Sequence, residues 1–175
     1  MIARKISDVR KFMSGFLIGN MLDNFRLAEA VITTFCTFTI DGRLERRFFG
    51  EAEETDDQPE NAKNRGPADL VAWKDVRERC FDLIRGKRTP LFFRFVFFSS
   101  AESASALLRQ NGLALPEDQV PGLCLNLRYS GTELYLTTGT SYRTFTMDKT
   151  ADRIWDEYVD AFLKKAGIET APITS

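Results

Sequence analysis

The chain has 175 residues, 43% of them hydrophobic, with 15 Phe, which is ample for burying the core of one compact domain. Lys plus Arg number 24 and Asp plus Glu 25, a formal net charge of −1 that argues against a chain built chiefly to hold a polyanion. With 0 His, the chain supplies no His-based acid–base relay, Ser-His-Asp triad or His-ligated metal, and its 3 Cys, without a C-x-x-C, read as buried reduced thiols of a cytosolic protein.

Met1 to Ile6 reads as a short strand leading straight into a capped amphipathic segment, so no signal peptide is expected. Ser7 is the expected N-cap, with Asp8 in the first turn. Val9, Phe12, Met13, Phe16 and Leu17 then repeat at helical spacing, and Gly19-Asn20 stops the helix. Phe25 to Thr34 reads as a strand, and Phe35 to Ile40 alternates as Cys36, Phe38 and Ile40 against Thr37 and Thr39. Asp41-Gly42 predicts a hairpin turn, with Arg43 to Phe49 returning as a charged, exposed edge strand.

Residues 50–67 are acidic and lack aromatic and branched aliphatic side chains, the composition of a flexible loop. Asp56-Asp57 within it is better explained as solvated acid than as a metal site. Leu70 to Arg85 is the second helix, with Trp73, Val76, Cys80, Phe81 and Ile84 as its apolar stripe and Gly86 beyond its end.

Leu91 to Phe98, written LFFRFVFF, dominates the chain. Leu91, Phe93, Phe95 and Phe97 fall on one side, and Phe92, Val96 and Phe98 on the other, interrupted only by Arg94. A strand apolar on both sides is expected in the sheet interior with packing above and below. Arg94 then needs an acidic partner, an exit to water or a ligand anion, of which a structural pair is favoured.

Ser99-Ser100 caps a third helix carrying Ala104, Leu107 and Leu108, ended by Gly112. Leu123 to Tyr129 alternates as a half-buried strand, Ser130-Gly131 turns, and Leu134 and Leu136 return. Gly139 suggests a bend or bulge before a strand at Tyr142 to Met147. Asp148 caps the last helix, whose Ala151, Ile154, Trp155, Tyr158 and Phe162 repeat with helical spacing to Gly167, and Ile168 to Ser175 frays. No apolar run approaches the ~18 residues of a membrane span.

The expected order is β-α-β-β-β, helix, β-α-β-β-β, helix: one α+β domain over residues 1–175 with a mostly antiparallel sheet. Residues 1–49 and 91–147 would be its two pseudo-repeats. That order resembles a domain of the DNA sliding clamps, although the basic character of a clamp's inner helices is reduced here to Arg10 and Lys11, then Arg109. Several stretches resemble an uncharacterised bacterial family of unknown function: T-T-F-x-T-F-x-I-D-G-R at Thr33 to Arg43, W-x-x-V-R at Trp73 to Arg77 and L-I-x-G-K-x-T-P-L at Leu83 to Leu91. T-T-G-T-S at Thr137 to Ser141 and the Trp155-Asp156-Glu157 helix extend it. The resemblance implies an intracellular bacterial protein and brings no activity with it.

Candidate chemistry is sparse. Gly86-Lys87-Arg88-Thr89 lacks the upstream glycine of a P-loop and follows a helix where a P-loop follows a strand, so it reads as a helix stop with charges that guard the apolar strand. Thr138, Gly139, Ser141 and Arg143 are the first place to look for an anionic ligand, against a plain Thr-rich strand. Arg43, Arg46, Arg47, Lys87 and Arg88 are the best basic clusters for nucleic acid, against a solvated edge. Asp152 and Asp156, at i and i+4 beside Lys149 and Arg153, are expected to make ordinary helix-face ion pairs.

The expected function is therefore that of a non-catalytic, cytoplasmic binding or scaffold domain, without cofactor or metal, working through a protein partner or self-association. A clamp-like nucleic-acid protein, and a small enzyme or binder for an anion near Thr137 to Arg143, are the alternatives.

Overall fold

The fold was obtained as a computed structural model and describes residues 1–50 and 69–173. In chain order it has β1 (Ala3–Ile6), α1 (Val9–Leu17), β2 (Phe25–Thr33), β3 (Thr37–Asp41), β4 (Val71–Ala72) and α2 (Trp73–Ile84). Then come β5 (Phe92–Ser99), α3 (Ala101–Gln110), β6 (Gly122–Tyr129), β7 (Leu134–Ser141), α4 (Thr150–Lys165) and β8 (Thr170–Pro172). The expected α+β class with an antiparallel sheet is what forms: an eight-stranded sheet ordered β3-β2-β5-β6-β7-β1-β8, with β4 alongside β2. Among the described residues no helix is long and apolar enough to cross a membrane.

One layer of helices packs on one face of this sheet. Phe12 and Phe16 of α1, Trp73 and Cys80 of α2, Ala104 of α3 and Trp155, Val159 and Leu163 of α4 share a continuous core with Phe93, Phe95, Phe97, Leu123, Leu125 and Leu127. Its centre is aromatic. Phe16 lies flat on Trp73 at 4.8 Å, and Phe95 and Phe97 meet both rings edge-on, the geometry that ring quadrupoles favour. A smaller cluster of Leu108, Ala151 and Ile154 joins α3 to α4.

Several local expectations are corrected. The N-cap of α1 is Asp8 rather than Ser7, accepting from the Lys11 backbone N–H at 2.9 Å. Arg43 to Phe49 and Tyr142 to Met147 are not strands; Arg46–Phe49 forms one 3-10 turn. Each stretch read as a β-α-β-β-β unit thus carries two strands after its helix. β5 pairs with β6 of its own stretch, whereas β1 pairs with β7 of the other. The chain reversal predicted at Asp41-Gly42 lies earlier, at Thr34–Cys36, where the Thr34 N–H donates to the Cys36 carbonyl at 2.9 Å. Gly42 instead runs against β2, its N–H donating to Ala28 O, beside the extra residue that shifts the β2–β5 register between Leu27 and Glu29. No bulge forms at Gly139, since β6 and β7 keep one register from Gly122 to Tyr129. The acidic residues 51–67, with Asp56 and Asp57, lie outside the described residues.

The acidic residues of α4 do not form the expected helix-face pairs. Asp152 accepts from Thr140 at 2.7 Å and Tyr142 at 2.6 Å. Asp156 accepts from Thr138 and from the Met1 ammonium, and Asp160 takes both prongs of Arg4 at 2.9 and 2.6 Å. Spacing of four residues puts these carboxylates on one helical stripe, and β7 and β1 supply donors in the same direction. Burial opposes the charge on Asp152, but the hydrogen bonds from Thr140 and Tyr142 outweigh it and hold its pKa below the ordinary value. A depressed folded pKa means the contribution is complete above the unfolded value of about 3.9 and is lost as pH falls through the lower folded one. Asp152→Asn is expected to lower the melting temperature at pH 7 and flatten its decline below about pH 4, as read by thermal melts across pH.

Candidate binding surface

Side chains alternate along a strand, so the residues between the core positions emerge on the other face of the sheet. On β5 these are Phe92, Arg94, Val96 and Phe98; on β6, Cys124, Asn126 and Arg128; on β7, Tyr135, Thr137 and Gly139. β2 adds Glu29, Val31 and Thr33, and β1 adds Ala3 and Lys5. No described helix covers this face. Arg94 and Arg128 are exposed and the aromatic and aliphatic residues half-buried. The expectation that LFFRFVFF is packed above and below is therefore half right. β5 is interior to the sheet, and among the described residues helices seal only its Phe93, Phe95 and Phe97 side.

The charges on this open face are arranged unevenly. Arg94 finds the acidic partner expected of it, Nη2 lying 2.5 Å from Glu29 Oε2. Lys5 and the Tyr135 hydroxyl both donate to Glu133, and Lys5 foremost holds that carboxyl below its ordinary pKa. Arg128 sits directly opposite Arg94 in the register, yet among the described residues it has no ion-pair partner. It lies over the Phe92 ring at 5.9 Å. Like charges directly opposite each other on a sheet are destabilising, by up to ~1 kcal/mol. Arg128→Gln is accordingly expected to leave folding stability unchanged or raise it by about 0.5 kcal/mol in urea melts; a loss above about 1 kcal/mol would mark Arg128 as structural.

Cys124 belongs to the same face. Burial pushes its thiol up to about 11, against a lowering contact from Asn126, and burial pushes Cys80 up to about 12. Cys36 is exposed at the β2–β3 turn. Alkylation of native protein at pH 8 is expected to modify Cys36 first, with Cys80 and Cys124 at least about tenfold slower until the chain is unfolded, as mass mapping would read.

The residues singled out in the sequence do not converge. Thr138 is buried beneath α4, donating to Asp156 and accepting from the Ile2 N–H at 2.9 Å. Gly139 lies on the open face opposite Cys124, Ser141 is exposed at the end of β7, and Arg143 lines a groove of about 430 Å³ with Leu113, Leu115, Asp118, Phe145 and Asp148. Arg43 follows Gly42, whose N–H donates to Ala28 in the middle of β2, and Arg46 further along pairs with Asp69 at 2.5 Å, with Arg47 next to it in sequence. Lys87 and Arg88 precede Leu91, whose N–H donates to Thr33 at the end of that strand. Five residues of strand, ~17 Å, separate Ala28 from Thr33. Lys11, singled out with Arg10 on α1, donates through Nζ to Gly167 O at 2.7 Å. Among the described residues no three His, Cys, Asp or Glu side chains are grouped to hold a metal ion. What sequence reasoning missed is Arg128, whose signal was available: an arginine on the same side of a half-buried strand as Cys124 and Asn126.

The stretches that carried the family resemblance in the sequence serve the fold. Trp73 is the centre of the core, Arg77 pairs with Asp23, Gly42 lies against β2, and Thr33 and Thr37 bond across the hairpin at 3.0 Å. Neither a curated protein nor a solved structure matches the chain. The family model for a family of unknown function, DUF5721, matches residues 15–170, nearly the whole fold from α1 into β8, and the chain belongs to that family.

Proposed function

We propose that this protein is a non-catalytic binding domain whose working surface is the open face of the sheet. The observation that carries the reading is the pairing of Arg94 with Arg128 across β5 and β6, amid Phe92, Val96 and Phe98, on a face no described helix covers. The ion pair with Glu29 accounts for Arg94, whereas Arg128 has only the Phe92 ring beside it among the described residues. A partner bearing a carboxylate would account for it: the guanidinium forks would take that group in paired hydrogen bonds while the apolar surround excludes water. The occupant is a protein segment that places an acidic side chain between the two arginines and apolar side chains on Phe92 and Phe98. The proposed setting is the cytoplasm.

The test compares capture from a lysate of the native host by wild type, by Arg94→Glu/Arg128→Glu and by Arg79→Glu on the helical side, each with and without nuclease. Nuclease-resistant proteins lost only with the open-face variant support the proposal. Partners lost with nuclease would favour the nucleic-acid reading, and partners retained by the open-face variant would sink it.

A further inference from the structure

We infer that two copies of this chain join edge to edge through β3, making one continuous sheet across a twofold axis at Thr39. This rests on the edge of the sheet and not on its open face, so it stands or falls separately from the binding reading. The two ends of the sheet are unlike. β8 is three residues long and ends in Pro172, which has no N–H to offer, a common way of blunting an edge. β3 is five residues, Thr-Phe-Thr-Ile-Asp, without Pro or Lys, and among the described residues nothing pairs with its outer side. The charged strand expected to shield it, Arg43 to Phe49, does not form.

The hydrogen-bond phase of the hairpin says which residues face outward. Gly42 donates to Ala28 and Thr34 to Cys36, so the ladder bonds to β2 fall at the even-numbered positions, Phe38 and Ile40 among them. Thr37, Thr39 and Asp41 therefore turn their backbone N–H and C=O groups to the free edge. An antiparallel pair centred on Thr39 matches this set to itself. Thr39 meets the second copy's Thr39, and Thr37 meets the second copy's Asp41, with on the order of six backbone hydrogen bonds.

The side chains match as well. Phe38 falls beside the second copy's Ile40 at the closer, non-hydrogen-bonded positions, where cross-strand apolar pairs interact best. Both are half-buried at the rim of the core, and Phe35, 92% exposed, already stacks edge-on against Phe38 at 5.8 Å. No like charges fall opposite each other in this register, and the contact is self-complementary, as a closed twofold interface requires. The second copy would also extend the open face, setting two Arg94–Arg128 pairs on one surface.

The test is sedimentation of the full chain from about 1 to 200 μM, the range suited to a small interface. Wild type is expected to shift from 19.9 kDa towards twice that mass. Thr39→Lys, which sets two ammonium groups opposite each other, is expected to weaken the dimer at least tenfold, with an unchanged circular dichroism spectrum and with an unchanged melt at the dilute end of the range, where both chains are monomeric. Thr39→Cys in a Cys36→Ser background is expected to cross-link to a covalent dimer under mild oxidant, because Cα atoms at such a pair lie about 5.5 Å apart. A wild type that stays monomeric at 200 μM overturns the inference. So does a dimer that survives Thr39→Lys, or one that Arg94→Glu/Arg128→Glu abolishes, since the latter would put the contact on the open face.

Discussion

Gly42→Ala is expected to destabilise the protein by at least about 3 kcal/mol, and Gly139→Ala by less than about 0.5 kcal/mol, in paired urea melts. A Cβ on Gly42 would sit 1.8 Å from Leu27 O and 3.2 Å from Ala28 O, both backbone atoms that no rotamer change can move aside. Relief requires lifting β3 away from β2, or displacing the Val71 N–H that donates to Gly42 O and brings β4 into the sheet. At Gly139 the nearest atom is Cys124 Cβ at 3.7 Å, ordinary contact in a regular strand. The same chemical change therefore separates a glycine required by close backbone approach from one that is not. Equal effects at the two sites would contradict the placement of Gly42.

Phe95→Ala carries the second large effect, about 3–5 kcal/mol, which is a large share of the 5–15 kcal/mol that usually holds a domain together. Phe95 is fully buried, with ring centres of Phe16 at 5.1 Å, Phe93 at 5.5 Å and Trp73 at 5.6 Å. The hole left behind is bounded by rings stacked on one another, which cannot collapse into it. Calorimetry is expected to show a melting temperature lower by about 10 °C. Phe92→Ala, on the open face of the same strand, is expected to cost well under half as much. A reversal of that order would mean that the two sides of β5 have been assigned the wrong way round.

Much of this architecture was legible because it follows from periodicity. The stripe from Val9 to Leu17 and the stripe of α4 specify helices, and the alternation from Leu123 to Tyr129 specifies a strand with one buried side. The two-sided apolar pattern of Leu91 to Phe98 located the middle of the sheet. The same pattern does not show that no described helix lies over Phe92, Val96 and Phe98. Arg43 to Phe49 alternates by type yet forms no strand. Its Leu44 N–H is taken by Asp69 and Arg43 bridges Leu70, partners from beyond the acidic segment that local sequence does not reveal.

The site was harder to read for a related reason. Thr138, Gly139, Ser141 and Arg143 are neighbours in sequence, but a strand sends alternate residues to opposite faces, and the chain leaves the sheet after Ser141. Arg94 and Arg128 are 34 positions apart and meet only through the β5–β6 register. Asp152 and Asp156 had visible partners of opposite charge on their own helix, yet Thr138 and Thr140 on β7, with Tyr142 and the Met1 ammonium, took them. Each case is a tertiary neighbour prevailing over a local one.

The most direct measurement asks whether the open face is covered in the cell that makes the protein. A reporter thiol is placed at Thr137→Cys on that face, or at Glu78→Cys on the exposed side of α2, in a Cys36→Ser background, and its labelling is read by mass mapping apart from Cys80 and Cys124. Labelling rates are compared between purified protein and native-host lysate at equal concentration. The binding account predicts labelling at position 137 at least about fivefold slower in lysate, restored by adding Arg94→Glu/Arg128→Glu, with position 78 unaffected. Equal rates at position 137 in both settings would contradict it.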